Sequence, residues 1–168
     1  MPKAIIIGGP NGAGKTTVSR RLLLEVDDCI EFVNADEIAR GISPYNPDGA
    51  AIQAGKLMHK RMHELREKKV SFAMETTMAS RSFGPFLRDC KAIGYFVEAY
   101  YFMMDSPEFS IARVAQRVAL GGHNVPPDAI RRRFWAGAAN FIHLYIPIAD
   151  DCVCYYSGAV SYTHLRAH

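Results

Sequence analysis

Residues 5–17 read IIIGGPNGAGKTT. Three isoleucines in a row describe a strand buried on both faces, not one that alternates between core and water. The turn behind it runs Gly9, Pro10, Asn11, Gly12, Ala13, Gly14, Lys15, Thr16 and Thr17, which satisfies G-x-x-x-x-G-K-[ST]. Glycines let successive backbone N–H groups turn inward around phosphate oxygens. A helix beginning near Lys15 adds a favourable dipole for an anion. Lys15 is expected to reach the β- and γ-phosphates of a nucleoside triphosphate, and the Thr16 hydroxyl to ligate Mg²⁺.

Short apolar runs alternate with helical patterns along the 168 residues, as in an α/β domain with a parallel sheet. Five strands are expected: 4–8, 29–35, the run VSFAMETT ending near Glu75, 95–104 and 151–156. Between residues 48 and 68, Ala51, Ala54, Met58, Met62 and Leu65 recur at steps of 3, 4, 4 and 3, one face of a helix. Further helices are expected over 82–93, closed by Gly94, and from Asp105-Ser106-Pro107 to about Leu120. Another restarts at NVPPDAI and carries Ile130, Phe134, Ala138, Phe141 and Tyr145.

The composition, 49% hydrophobic and 22% charged, is that of a globular protein with one domain. A net charge of +3 is too small to argue for nucleic acid or membrane. No signal peptide or membrane span is legible, so a cytoplasmic protein is expected. Cys29, Cys90, Cys152 and Cys154 form no CxxC pair, which favours reduced, mostly buried thiols over a zinc or redox site.

In open α/β sheets, ligands bind outside the carboxyl ends of the strands. Asp36 closes FVNAD and Glu75 closes FAMETT at such ends. Either carboxylate would suit an acceptor hydroxyl that must be oriented and deprotonated. Equally, Asp36 suits a cap on the short EIARGI helix, and Glu75 a polar turn. Asp105, after another apolar strand, reads as a cap around Pro107 in preference to a Mg²⁺-binding aspartate. Arg113 and Arg117 lie one helical turn apart, facing away from an apolar stripe. Beyond Gly121-Gly122-His123-Asn124 come Arg131, Arg132 and Arg133. Two helices joined by a glycine turn and carrying arginines suit a lid over a triphosphate. One or two of the five arginines are expected to function there, and His123 is read as a loop histidine.

Taken together, GGPNGAGKTT (8–17), VNADEIAR (33–40), FAMETTMASRSF (72–83) and RVAQRVALGGHNVPPDAIRRRF (113–134) resemble the zeta-toxin family of P-loop kinases. The GGHNVP lid looks like that of a chromosomal branch of the family. The resemblance implies a three-layer P-loop NTPase fold with a parallel five-stranded sheet in order 2-3-1-4-5 and an arginine-bearing lid. It implies ATP-dependent phosphorylation of a small molecule, which in the toxins is a hydroxyl of UDP-N-acetylglucosamine. By that likeness Asp36 is the base on the acceptor hydroxyl, and Glu75 and Thr77 bind the acceptor. Arg133 and Arg117, with Arg132 behind them, are expected at the phosphates. An antitoxin partner is compatible with the resemblance, but no residue pattern points to one.

Three other functions compete: a kinase for another metabolite or a nucleic-acid end, an NTP-driven switch or ATPase, and an idle nucleotide-binding protein. The modest charge and the lack of a basic-aromatic groove count against nucleic acid. No guanine-reading N-K-x-D segment occurs. Finally, VSYTHLRAH (160–168) reads as an in-frame translation of a sequencing adapter, so the kinase domain is expected to occupy 1–159. On that reading the natural chain continues past Ala159, CYYSG (154–158) enters the adenine-contacting loop, and 160–168 pack little.

Overall fold

A computed structural model describes residues 1–25, 31–157 and 162–167. The central strand β1 is Lys3–Gly8, flanked in parallel by β3, Phe72–Glu75, and β4, Phe96–Met103. Outside these lie β2, Glu31–Asn34, and β5, Asp151–Ser157, both also parallel. The order β2-β3-β1-β4-β5 is the one expected. A sixth strand, β6 (Tyr162–Ala167), was not expected; it runs antiparallel along β5. Residues 162–167 thus pair along the edge of β5, contrary to the expectation that this stretch packs little, because an edge strand offers N–H and C=O groups to any extended chain beside it.

Helices cover both faces of the sheet. They are α1 (Lys15–Glu25), α2 (Ala35–Ile42), α3 (Ala51–Glu67), α4 (Phe83–Ala92), α5 (Pro107–Ala119) and α6 (Pro127–Asn140). A π turn, Phe141–Tyr145, and a last turn, Ile146–Ile148, continue α6. On one face Ala4, Ile6, Val33, Met74, Val97, Ala99 and Tyr101 pack under Met58, Met62 and Leu65 of α3, Phe86 and Leu87 of α4, and Phe141 and Tyr145. On the other, Ile5, Ile7, Ala73 and Phe102 meet Leu23 of α1 and Phe134 of α6. Successive isoleucines of β1 thus serve opposite faces, which is why the run is apolar throughout. Cys90, Cys152 and Cys154 are free thiols, and Cys29 lies outside the described residues.

Two local expectations change, and one of the two readings of Asp36 falls away. Ala51 opens α3 at the surface and does not join its buried stripe. The cap of α5 is Ser106, whose Oγ accepts from the Phe109 N–H at 3.1 Å, with Pro107 at the first helical position. Asp105 instead accepts a hydrogen bond from the Tyr156 hydroxyl. The cap of α2 is Asn34, whose Oδ1 accepts from Asp36 N at 2.8 Å and Glu37 N at 3.4 Å. Because Asn34 fills that role, the Asp36 carboxylate is released from capping.

Candidate active site

Strand register assembles the site. Asn34 lies level with Glu75, and Glu75 level with Ile7, so the ends of β2 and β3 stand beside the loop that leaves β1. In that loop Gly12 and Gly14 have φ of 80° and 76°, the left-handed region that a side chain disfavours. The Ser110 hydroxyl of α5 donates to the Asn11 carbonyl and fastens the loop from above.

Lys15 is buried, and its Nζ donates to the Gly9 and Pro10 carbonyls at 2.8 and 3.0 Å. Burial pushes its pKa down; the nearby Glu75 and Asp36 carboxylates oppose that shift, and Arg117 adds to it. Thr16 Oγ1 donates to Glu75 Oε1 at 2.9 Å. That bond uses the hydroxyl proton and leaves the Thr16 oxygen lone pairs available, as a Mg²⁺ ligand requires. Burial raises the Glu75 carboxyl above the usual carboxylate range, against the pull of Lys15 and the Thr16 hydrogen bond. Its second oxygen, Oε2, is buried and has no hydrogen-bond partner.

Three adjoining recesses share Asp36. The largest, about 490 Å³, is the phosphate cleft: it is lined by Asn11, Gly12, Gly14, Lys15, Thr16 and Thr17 below and by Arg113, Gln116 and Arg117 above. The second, about 220 Å³, lies between Asp36, Glu75, Thr77, Met58, Phe83 and Arg133. A third, about 150 Å³, is walled by Asp36, Arg40, Asp48, His123 and Arg133. Asp36 is exposed and lines all three.

Of the lid residues, Arg117 faces the phosphate cleft and donates to the His123 carbonyl at 2.9 Å. Gly122 is tight against it: a Cβ there would come within 2.5 Å of Arg117 Cγ. Arg133 lines the two smaller recesses and not the phosphate cleft. Arg132 is exposed and lines none of the three, so the structure does not bring it to the site. Arg131 pairs with Glu108 and Asp128 at 3.2 and 3.3 Å. Arg113, in contrast, stands over the phosphate cleft, supported by the Phe109 ring at 4.8 Å and by Ser157 Oγ at 3.1 Å.

Thr77 is held from behind. Asn140 Nδ2 donates to the Met78 and Ala79 carbonyls at 2.9 and 3.0 Å, and the Tyr145 hydroxyl to Ser80 O at 2.7 Å. Sequence reasoning missed Asn34, Asn140, Met58 and Phe83 as builders of the site. Asn34 carried a signal, a capping residue directly before a helical pattern; Asn140 carried none.

A strand–phosphate loop–helix unit at the centre of this sheet, with carboxylates at the neighbouring strand ends and an arginine-bearing helical pair above, defines a P-loop nucleotide-binding α/β protein of kinase type. The chain belongs to the Zeta toxin family, whose profile matches residues 1–145. A protein of Haemophilus influenzae (strain ATCC 51907 / DSM 11121 / KW20 / Rd), described only as uncharacterized, is 32% identical over 133 residues, 79% of this chain and 92% of that protein. Among solved structures, the PezAT chromosomal toxin–antitoxin system of Streptococcus pneumoniae superposes with a TM-score of 0.69 at 20% identity, over 96% of this chain and 72% of that one. AvrRxo1-ORF1:-ORF2 with ATP superposes with a TM-score of 0.69 at 16% identity, over 99% of this chain and 57% of that one. At these identities the superpositions establish the fold. No described helix is long and apolar enough to cross a membrane.

Proposed function

We propose that the protein transfers the γ-phosphoryl group of ATP to a hydroxyl of a small molecule, most simply a nucleotide sugar of the UDP-N-acetylglucosamine kind. The observation that carries this reading is the position of Asp36. It lies on the common wall of the phosphate cleft and of two adjoining recesses, and its carboxylate makes no capping bond. A simple triphosphatase needs the first cleft; the other two have a purpose if a second substrate enters.

In this reading ATP phosphates lie against the loop from Gly9 to Thr17. Lys15 leaves the Gly9 and Pro10 carbonyls and turns to the transferring group, since both bonds are local and the triphosphate offers stronger acceptors. Thr16 would hold Mg²⁺, which supplies charge neutralisation on the phosphates when bound. Arg117 and Arg113 add positive charge from the lid. Asp36 orients the acceptor hydroxyl and takes its proton. Thr77 and Arg133 line the acceptor side. Since PezAT is a toxin–antitoxin system, the reading extends to a protein partner of antitoxin type.

Incubation with γ-labelled ATP and Mg²⁺, with UDP-N-acetylglucosamine, other sugars or no acceptor, tests it. Label is expected on the nucleotide sugar. Label appearing as free phosphate at the same rate with and without every acceptor would overturn the kinase reading.

A further inference from the structure

Four successive carbonyls of the loop after β3 turn toward α6 and its continuation. A Cβ built on Gly137 would stand 2.4 Å from the Thr77 carbonyl oxygen, so helix and loop touch there. About one turn on, buried Asn140 donates through Nδ2 to the Met78 and Ala79 carbonyls at 2.9 and 3.0 Å. The Tyr145 hydroxyl then donates to the Ser80 carbonyl at 2.7 Å. Carbonyl oxygens only accept, so both contacts of Asn140 need its amide nitrogen. Asn140 and Tyr145 stand five residues apart in the chain. On an α-helix that spacing points two side chains about 140° apart. Here the segment between them is the π turn Phe141–Tyr145, whose i→i+5 pattern stacks such residues on one side. The turn thus aims both donors at the same loop.

That loop needs holding. Met78 is buried at a φ of 58°, a conformation that a side chain disfavours and that persists where its neighbours over-determine it. Just before it, the Thr76 and Thr77 hydroxyls accept from the Met78 and Ala79 N–H groups at 3.2 and 3.4 Å. The loop backbone so steers each threonine oxygen and leaves its proton to donate. Thr77 lines the second recess together with Asp36 and Arg133.

We propose that Asn140 and Tyr145, brought together by the π turn, are positioning residues for the acceptor: through the carbonyls of residues 78–80 they hold Thr77 so that its hydroxyl donates into the second recess. The inference rests on the kinase reading above and names what fixes the acceptor side of that site. Arg133 rises from the same helix about two turns before Asn140, so one element sets the spacing of the Thr77 and Arg133 contacts.

Initial rates are measured with ATP, Mg²⁺ and UDP-N-acetylglucosamine, or with whichever sugar of the acceptor series takes the label. The proteins are the wild type, Asn140→Ser, Tyr145→Phe, Thr77→Val and the double variant Thr77→Val/Asn140→Ser. A loosened loop lowers the fraction of protein ready for the acceptor, and apparent affinity falls by that fraction. The acceptor KM is expected to rise about 3- to 10-fold in Asn140→Ser and in Tyr145→Phe, the net contribution of one hydrogen bond, with the KM for ATP unchanged within about twofold. Tyr145→Phe keeps the buried ring and carries the test if Asn140→Ser fails to fold. The double variant should lose no more than Thr77→Val alone, because Asn140 acts through Thr77. An unchanged acceptor KM in both single variants, losses that fall on both substrates alike, or fully additive losses in the double variant overturn the inference while the kinase reading stands. Label on no acceptor with the wild type defeats the kinase reading, and this inference with it.

Discussion

His123 Nε2 lies 3.2 Å from Asp48 Oδ1, joining the turn between α5 and α6 to the short turn that precedes α3. The same residue offers its carbonyl to Arg117. One histidine thus ties the lid to the far wall of the smallest recess through its ring, and steadies a phosphate-facing arginine through its backbone. The lid motif GGHNVP becomes intelligible position by position: Gly121 takes a φ of 86°, Gly122 has no room beside Arg117, His123 makes the tie, and Val125 is buried as an anchor.

His123→Ala and Asp48→Ala are each expected to lower kcat/KM for transfer by about two- to fivefold, since a solvent-accessible pair contributes up to about 1 kcal/mol. The double variant should lose no more than the larger single loss. Fully additive losses in a double-mutant cycle would show that the two residues act separately.

Asp36→Asn preserves shape but removes the proton acceptor. ATP affinity should hold while transfer falls by roughly 10²-fold or more, as for loss of a general base. Collapse of ATP affinity, with transfer per bound ATP intact, would make Asp36 a structural residue.

Gly137 of α6 faces the 76–80 loop so closely that an added Cβ would stand 2.4 Å from the Thr77 carbonyl oxygen. Gly→Ala in an open helix interior stabilises by roughly 1 kcal/mol. Here overpacking should reverse the sign, with a net destabilisation of about 1–3 kcal/mol. A thermal melt of Gly137→Ala reads this directly, and a rise in melting temperature would refute the close packing of α6 on the 76–80 loop.

Asp150 binds Lys91 Nζ through Oδ1 at 2.8 Å and the Val97 N–H through Oδ2 at 2.9 Å. Burial alone would raise its pKa, but those two contacts outweigh it and hold the carboxyl below the usual range. A depressed acid contributes stability above its unfolded value, about 3.9, and loses it as pH falls through the folded value. Asp150→Asn should therefore be less stable than the wild type near pH 7, by up to about 1 kcal/mol given the exposure of Lys91. The gap should close in acid, once pH lies below the folded value as well. Urea midpoints at the two pH values measure it; a gap that widens in acid contradicts the sign.

The strands themselves were legible in the residues, but their order came with the resemblance to zeta toxins; once β1, β2 and β3 pair in register, IIIGG, NAD and METT meet at one end of the sheet. Which of two neighbouring polar residues caps a helix was not, since Asn34 against Asp36 and Ser106 against Asp105 differ by a backbone rotation that composition does not encode. The lid arginines show the same limit. Helical spacing states that Arg132 and Arg133 point about 100° apart, but only packing of Ile130 and Phe134 into the core fixes which one faces the site. Met78 was illegible altogether: a methionine buried at a φ of 58°, filling the space over Gly8, is a requirement of two loops meeting rather than of either alone.

The convergence of three recesses on Asp36 carries a stereochemical corollary for the proposed reaction. The phosphate cleft and the second recess share Lys15, Asp36 and Glu75 in their walls. An acceptor hydroxyl approaching from one side and ADP departing on the other need a single in-line displacement at phosphorus. One displacement inverts the configuration of that atom, whereas passage through a phosphorylated side chain would invert it twice and restore it. A γ-phosphate made chiral with oxygen isotopes should therefore arrive on the acceptor with the opposite hand.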